Sequence, residues 1–352
     1  MCVNEPSMQN SVPATSSFTS VGLAALAIMH KDPYLMILAR RQYLSALNLL
    51  SQAIGELKES VNGALVAASF NLSVFELIAC DAPPATHLWV RHIKGTLVLL
   101  NMLKLHPDAM VNEVEGLVQI GYTAALAHLI SEQTVPKFLL GLMQSCQVLS
   151  MRTTIILMIE LLDIMSSLID LYIRTKHSDA HDYVQLVSIT IDFDQRLLAW
   201  ANNLSPTFTF DAIVEGSSHS REHGWLVKAW NYYWLCRVLV SRVVIDSLDA
   251  LSKSIELTHV TLIAESKAQH SKSLSVLGQA LREIHASIPF MLRRMGRSSL
   301  GLSSDTSFLI TILQSLSILT DQRVVINNCD LQQTRYIHGF QSAPEPSIKY
   351  LY

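Results

Sequence analysis

The chain has 352 residues, of which 50% are hydrophobic and 16% charged, with a net charge of −3 and a pI near 6.5. The charged fraction lies well below the roughly 25% of an ordinary globular domain, which excludes a chain disordered throughout, and the near-neutral balance excludes the broad basic face of a nucleic-acid-binding domain. Gly and Pro are scarce beside Leu, Ile, Ala and Met, so helices are favoured over strands.

Residues 1–17, MCVNEPSMQNSVPATSS, read as a disordered tail with neither the basic start nor the apolar core of a signal peptide. A short apolar helix is expected from Phe18 to Met29. Lys31-Asp32-Pro33 then predicts a sharp helix start, because Asp32 can cap and Pro33 suits the first helical position. Met36, Ala39, Tyr43, Ala46, Leu50, Ala53 and Leu57 recur at steps of three and four, with Arg41, Ser45, Asn48 and Gln52 on another face, the pattern of an amphipathic helix. Similar patterns predict helices over 61–80, 86–104, 111–131, 134–145, 151–175, 183–203, 225–253, 255–287 and 306–339. Polar breaks fall at 174–182, 205–223 and 296–305. No stretch alternates with the period of a strand, and no solenoid-type repeat is present. The expected fold is therefore all-α, a single large domain of about ten helices.

Two apolar segments approach the length of a membrane span. Residues 153–173 carry Glu160, Asp163 and Asp170, and residues 232–248 carry Arg237, Arg242 and Asp246. Each such charge at a bilayer centre costs about 2.5 kcal/mol or more, so both segments read as buried helices.

Most of the chemistry-bearing residues fall in NLSVFELIACDAPPATHLWVRHIKG, residues 71–95, which holds Glu76, Cys80, Asp81, His87 and His92. Pro83 and Pro84 end one helix, and Thr86 can cap the next. Phe70, Val74, Leu77 and Ile78 supply one buried face; Leu88, Val90, Ile93, Leu97, Leu99 and Leu100 supply the other. The segment thus reads as a helical hairpin. Glu76 and His92 form the kind of pair used in acid–base catalysis, but no nucleophile sits with them in a strained turn. His87 and His92 are five apart, whereas zinc-binding pairs on a helix use i, i+4. The expected role is architectural: Trp89 and His92 pack and hydrogen-bond at the hairpin, and Gly95 admits a neighbouring backbone.

Elsewhere there is no GxGxxG, no P-loop, no GxSxG and no aspartate-rich pair of the kind a helical terpene cyclase needs. Glu160, Asp163 and Asp170 stand isolated in an apolar helix, and His219 and His223 lie in a polar loop. Arg293, Arg294 and Arg297 read as a solvated helix end, where cations are favoured. The five cysteines, Cys2, Cys80, Cys146, Cys236 and Cys329, show no CxxC and no metal-ligand spacing; they read as buried, reduced thiols of a cytosolic or nuclear protein. We expect no catalytic residue, no cofactor, no metal site and no enzymatic activity. Trp225, Trp230, Tyr232, Tyr233 and Trp234 form the best candidate wall for an apolar effector pocket.

Several segments resemble the fungal-specific transcription factor domain, the regulatory middle region of fungal zinc-cluster transcription factors. SSFTSVGLAALAIMHKDPYLMILARRQYLSALNLLSQAI (16–54) is similar to its opening helices, with an acidic-Pro cap before an ARRxYxxALxxL helix. FELIACDAPPATHLWVRHIKGTLVLL (75–100) is similar to its hairpin, and Glu76, Trp89, His92 and Gly95 match that pattern. WNYYWLCRVLVSRVVIDSL (230–248) resembles a later helix through Trp230 and Tyr233, and REIHASIPFMLRR (282–294) a further segment. The resemblance runs from about residue 16 to 340. It implies a tail at 1–17, a regulatory domain at 18–342 and a C-terminal tail at 343–352. It also implies a nuclear regulator of transcription, of the kind that controls secondary-metabolite biosynthesis. Its six-cysteine zinc cluster and basic linker are not in this sequence, so direct DNA binding is not expected. The implied partners are other transcription factors, in a homo- or heterodimer, with a small-molecule effector as a second class and no membrane. Either the chain acts through partners, or it is a truncated record of a full zinc-cluster factor.

Overall fold

In a computed structural model the described residues are 12–56, 61–79, 86–103, 107–149, 153–176, 183–210, 221–254 and 260–295, together with 312 and 319. They form ten α-helices: α1 Val12–His30, α2 Pro33–Gly55, α3 Gly63–Ala79, α4 Thr86–Met102, α5 Pro107–Ile130, α6 Lys137–Leu149, α7 Thr153–Lys176, α8 Tyr183–Asn202, α9 Arg221–Ser254 and α10 Val260–Met295. A 3₁₀ turn spans Pro206–Phe208. Among the described residues there is no strand, and the fold is all-α.

The first helix begins at Val12, earlier than the expected Phe18. Residues 12–17 are therefore helical rather than tail, because Pro13 and Ser17 are already buried. The small hydroxyls of Ser17 and Ser20 turn back onto the Ala14 and Ser17 carbonyls at 2.8 and 2.6 Å, and Asn71 Nδ2 donates to Ser17 Oγ at 3.3 Å, so the polar atoms of this buried face are met. The helix ends as Lys31 adopts φ +53°, with the Asp32 N–H donating to the Ala27 carbonyl at 2.9 Å and Lys31 N–H to Ile28 at 3.3 Å. These are the two bonds of a helix-stop motif that commonly uses glycine. Asp32 then caps α2 as its sequence predicts: its Oδ1 accepts the Tyr34 and Leu35 N–H groups at 2.8 and 3.3 Å, and Pro33 occupies the first turn. Asn62 caps α3 through Leu65 N–H at 3.1 Å.

The helices pack mostly as chain neighbours. α1 lies on α2 and α3, α3 on α4, and α9 on α10. α7 is the hub: it packs against α5, α6, α8 and α9, and the run from Leu161 to Ile173 buries nearly every side chain. Its three carboxylates share one polar stripe, and each has a local partner. Glu160 accepts Gln147 Nε2 at 3.4 Å, Asp163 faces Arg196 of α8 at 3.4 Å, and Asp170 accepts the Val135 N–H at 3.1 Å. That polar stripe is why so apolar a segment is a core helix here. α5 approaches α7 closely at Gly121, where an added Cβ would sit 2.7 Å from Leu162 Cδ2 and 3.4 Å from Met143 Sδ. The next residue, Tyr122, is fully buried, stacks on Tyr232 of α9 with centroids 3.8 Å apart, and donates its hydroxyl to the Met158 carbonyl at 2.6 Å. Trp200 Nε1 donates to the adjacent Leu157 carbonyl at 2.9 Å.

One main core runs from Ala25 to Leu319 and includes Ile312. A smaller one joins Val21, Ala24, Ala39, Val74, Phe75 and Ile78. α1 is also the one described helix long and apolar enough to cross a membrane, with a mean hydropathy of 1.5 over its best window; in the fold it packs on α2 and α3. Of the breaks expected at 174–182 and 205–223, residues 174–176 end α7 and 221–223 begin α9. The rest of the first, 211–220 of the second, the break at 296–305, the expected turn at Cys80–Pro84 and most of the expected helix at 306–339 lie outside the described residues.

Candidate functional site

Glu76 lies near the end of α3 and His92 two turns into α4, so the hairpin brings them to one level. What joins them comes from a third helix. The Tyr43 hydroxyl of α2 makes a short hydrogen bond to Glu76 Oε1 and lies 3.1 Å from His92 Nε2. The Tyr43 ring stacks on Phe75 at 4.5 Å and meets the His92 ring edge-on at 6.2 Å.

The protons follow from the geometry. Burial, reinforced by the hydrogen bond and charge of Glu76, holds the Tyr43 phenol well above its ordinary 10.0. The phenol therefore keeps its proton and donates it to Glu76. Its oxygen can then only accept from His92, which places the imidazole hydrogen on Nε2. Burial lowers the His92 pKa below 6.5, against an opposing pull from the Glu76 charge, so the ring is neutral at pH 7. The His92 carbonyl is engaged as well, accepting Thr96 Oγ1 at 2.8 Å and Ser69 Oγ at 3.3 Å. This is a clamp of three helices through one phenol. A phenol with so high a pKa is a poor acid and offers no phenolate at pH 7, and Thr96 and Ser69, both buried, turn their hydroxyls to the backbone and to each other, 3.0 Å apart.

Trp89 is packed as expected, 1% exposed, but among the described residues its indole N–H has no hydrogen-bond partner. The hydrophobic gain from burying so large a ring exceeds the cost of about 1–3 kcal/mol for one unmet donor. Gly95 departs from expectation. It is exposed, and among the described residues an added Cβ would meet only Ser69 Oγ at an ordinary 3.6 Å, with no backbone within reach. The close approach is at Gly121 instead. Tyr43 has no place among the expected site residues because its position fits the apolar period of α2; its match to the Y of ARRxYxxAL was the available signal.

Trp230 and Tyr233 belong to a second cluster. Trp230 meets Trp200, Phe210 and Tyr233 edge-on at 5.8, 6.2 and 5.2 Å, and its Nε1 donates to the Phe208 carbonyl at 2.7 Å. Tyr233 stacks on Trp200 at 5.7 Å and accepts Arg237 Nη1 at 3.0 Å. Arg237 is 8% exposed, and its Nε lies 3.0 Å from Asp194 Oδ1. Neither atom has a hydrogen-bond partner among the described residues, so the contact is Coulombic rather than a hydrogen bond. These rings fill one another's faces. A recess of about 220 Å³ opens elsewhere, over Met143, Ile159 and Leu162, with Glu160, Asp163 and Arg196 at its rim.

Cys146 and Cys236 are buried and unpaired as expected; burial pushes the Cys146 thiol up to about 11 and the Cys236 thiol higher. Cys2, Cys80 and Cys329, and the side chains of His87, His219, His223, Arg293, Arg294 and Arg297, lie outside what is described. Among the described residues no group of three or more His, Cys, Asp or Glu is placed to hold a metal ion. Compared with family models, with curated proteins and with solved structures, the chain matches none of them.

Proposed function

We propose that this chain is a regulatory domain of the fungal-specific transcription factor type, a nuclear protein that controls transcription through protein contacts. One observation supports the reading. The segments ARRQYLSAL and FEL…HLWVRHIKG resemble that family separately, on sequence alone. In the fold they meet in a single joint, Tyr43 with Glu76 and His92. Residues that match a degenerate pattern by chance have no reason to touch across three helices, whereas residues retained for architecture do. The Trp230 and Tyr233 cluster has the same character. In this reading the polar residues hold the scaffold, catalysis is not its business, and contact with DNA runs through a partner protein. The regulated genes are those of a biosynthetic cluster. Deleting the gene and profiling transcripts, with chromatin occupancy of co-purifying factors measured alongside, tests this. A co-located set of genes is expected to change expression. Unchanged transcripts together with unchanged occupancy would overturn the reading.

A further inference from the structure

α4 carries an exposed stripe that nothing in the described fold covers. Leu88, Val98 and Met102 are 42, 59 and 55% exposed, and Arg91 and Gly95 are exposed between them. Their spacing, 88, 91, 95, 98 and 102, steps by three and four, which is the seam of a helix that receives another helix. The opposite face of α4, through Trp89, Ile93, Leu97 and Leu100, is committed to the core. Gly95 lies at the middle of the seam. It is exposed, and among the described residues only Ser69 Oγ lies within 4 Å of where its Cβ would be, so it adds no bulk to the stripe.

The charge of the stripe selects the occupant. α4, THLWVRHIKGTLVLLNM, has no Asp or Glu. Arg91 lies within the seam and has no ion-pair partner among the described residues, and Lys94 lies one turn further on. A second copy of this chain would bring the same cations against themselves, and like charges across a seam oppose pairing. A helix with carboxylates flanking an apolar stripe would pair with Arg91 while covering Leu88, Val98 and Met102. We propose that α4 is the docking surface for an acidic amphipathic helix of a partner protein. The proposal rests on the regulatory reading only for the kind of partner involved.

The test uses the full chain and two fluorescent synthetic helices, one with Leu at the seam and Glu on its flanks, the other with Lys in place of every Glu. Anisotropy is expected to show the Glu helix binding at least tenfold tighter than the Lys helix at low salt. Val98→Glu and Arg91→Glu should each weaken it tenfold or more without moving the melting temperature, since both side chains are exposed. Equal binding of the two helices would overturn the proposal. So would binding insensitive to Val98→Glu but lost in Ile37→Glu, which would assign the site to the exposed Tyr34, Ile37 and Leu44 of α2. A dimer that sedimentation detects and Val98→Glu abolishes would assign the seam to a second copy instead. Binding to α4 with an unchanged transcriptome would sink the regulatory reading and leave this one standing; the reverse result would do the opposite.

Discussion

Removing the phenol oxygen of Tyr43 leaves two polar groups without a partner rather than one. Tyr43→Phe keeps the stack on Phe75 but deprives Glu76 of its donor and His92 of its acceptor. The expected cost is about 1–3 kcal/mol, read as a lower midpoint in urea with an unchanged slope. His92→Ala should fall in the same range of roughly 1–3 kcal/mol, with no need to invoke chemistry. Glu76 and His92 were legible as a pair from their places on two helices joined by a proline turn. Tyr43 was not, because periodicity counts a tyrosine as apolar and is blind to the hydroxyl at its tip. The same blindness explains Trp89, where the ring predicts burial and says nothing about where its N–H points.

The stops and close approaches of the helices divide into those with a local cause and those without. Asp32-Pro33 specifies the start of α2 within a few residues, so it could be read directly. The stop of α1 at Lys31 could not, since a lysine gives no sign of a left-handed backbone, and the stop of α5 repeats the device with Glu132 at φ +52°. Lys31→Gly is expected to stabilise the protein by about 1 kcal/mol, the relief of a Cβ in that conformation, seen as a rise in the urea midpoint. Gly95 and Gly121 look alike in sequence, each a glycine in an apolar helix, and only the neighbours distinguish them. Gly121→Val would force Leu162 and Met143 aside in a closed core and should cost roughly 1–3 kcal/mol. At Gly95 an added Cβ meets only Ser69 Oγ at an ordinary 3.6 Å, so the same change should cost less there, and calorimetry of the pair separates the two sites.

The whole chain closes through residues far apart in sequence. Ile312 and Leu319 are 0 and 1% exposed and belong to the main core, which begins at Ala25. Ile312→Ala should therefore cost about 2–5 kcal/mol, as a core truncation does, and the melting temperature reports it. The protonation of the interior sets the pH range of the fold. Burial disfavours the charged form of His92 and of His128, and both pKa values fall below 6.5. The unfolded chain binds protons first as pH drops, so their contribution is present above about 6.5 and is lost as pH falls through that value toward the folded pKa. Tyr43, Tyr122, Tyr232, Cys146 and Cys236 are shifted upward by burial. Their contribution is present below the ordinary 9.0 of cysteine and 10.0 of tyrosine and is lost as pH rises beyond. The urea midpoint should fall on both sides of this range, and His92→Gln should flatten the acid limb. At the centre of the core, the Leu157 and Met158 carbonyls of α7 are already engaged by the helix, yet each takes a second proton donor, from Trp200 and Tyr122. A doubly bonded carbonyl vibrates at lower frequency than its singly bonded neighbours. Isotope labels at these two peptide groups would therefore give a shifted infrared band that exists only while α5 and α8 are seated on α7.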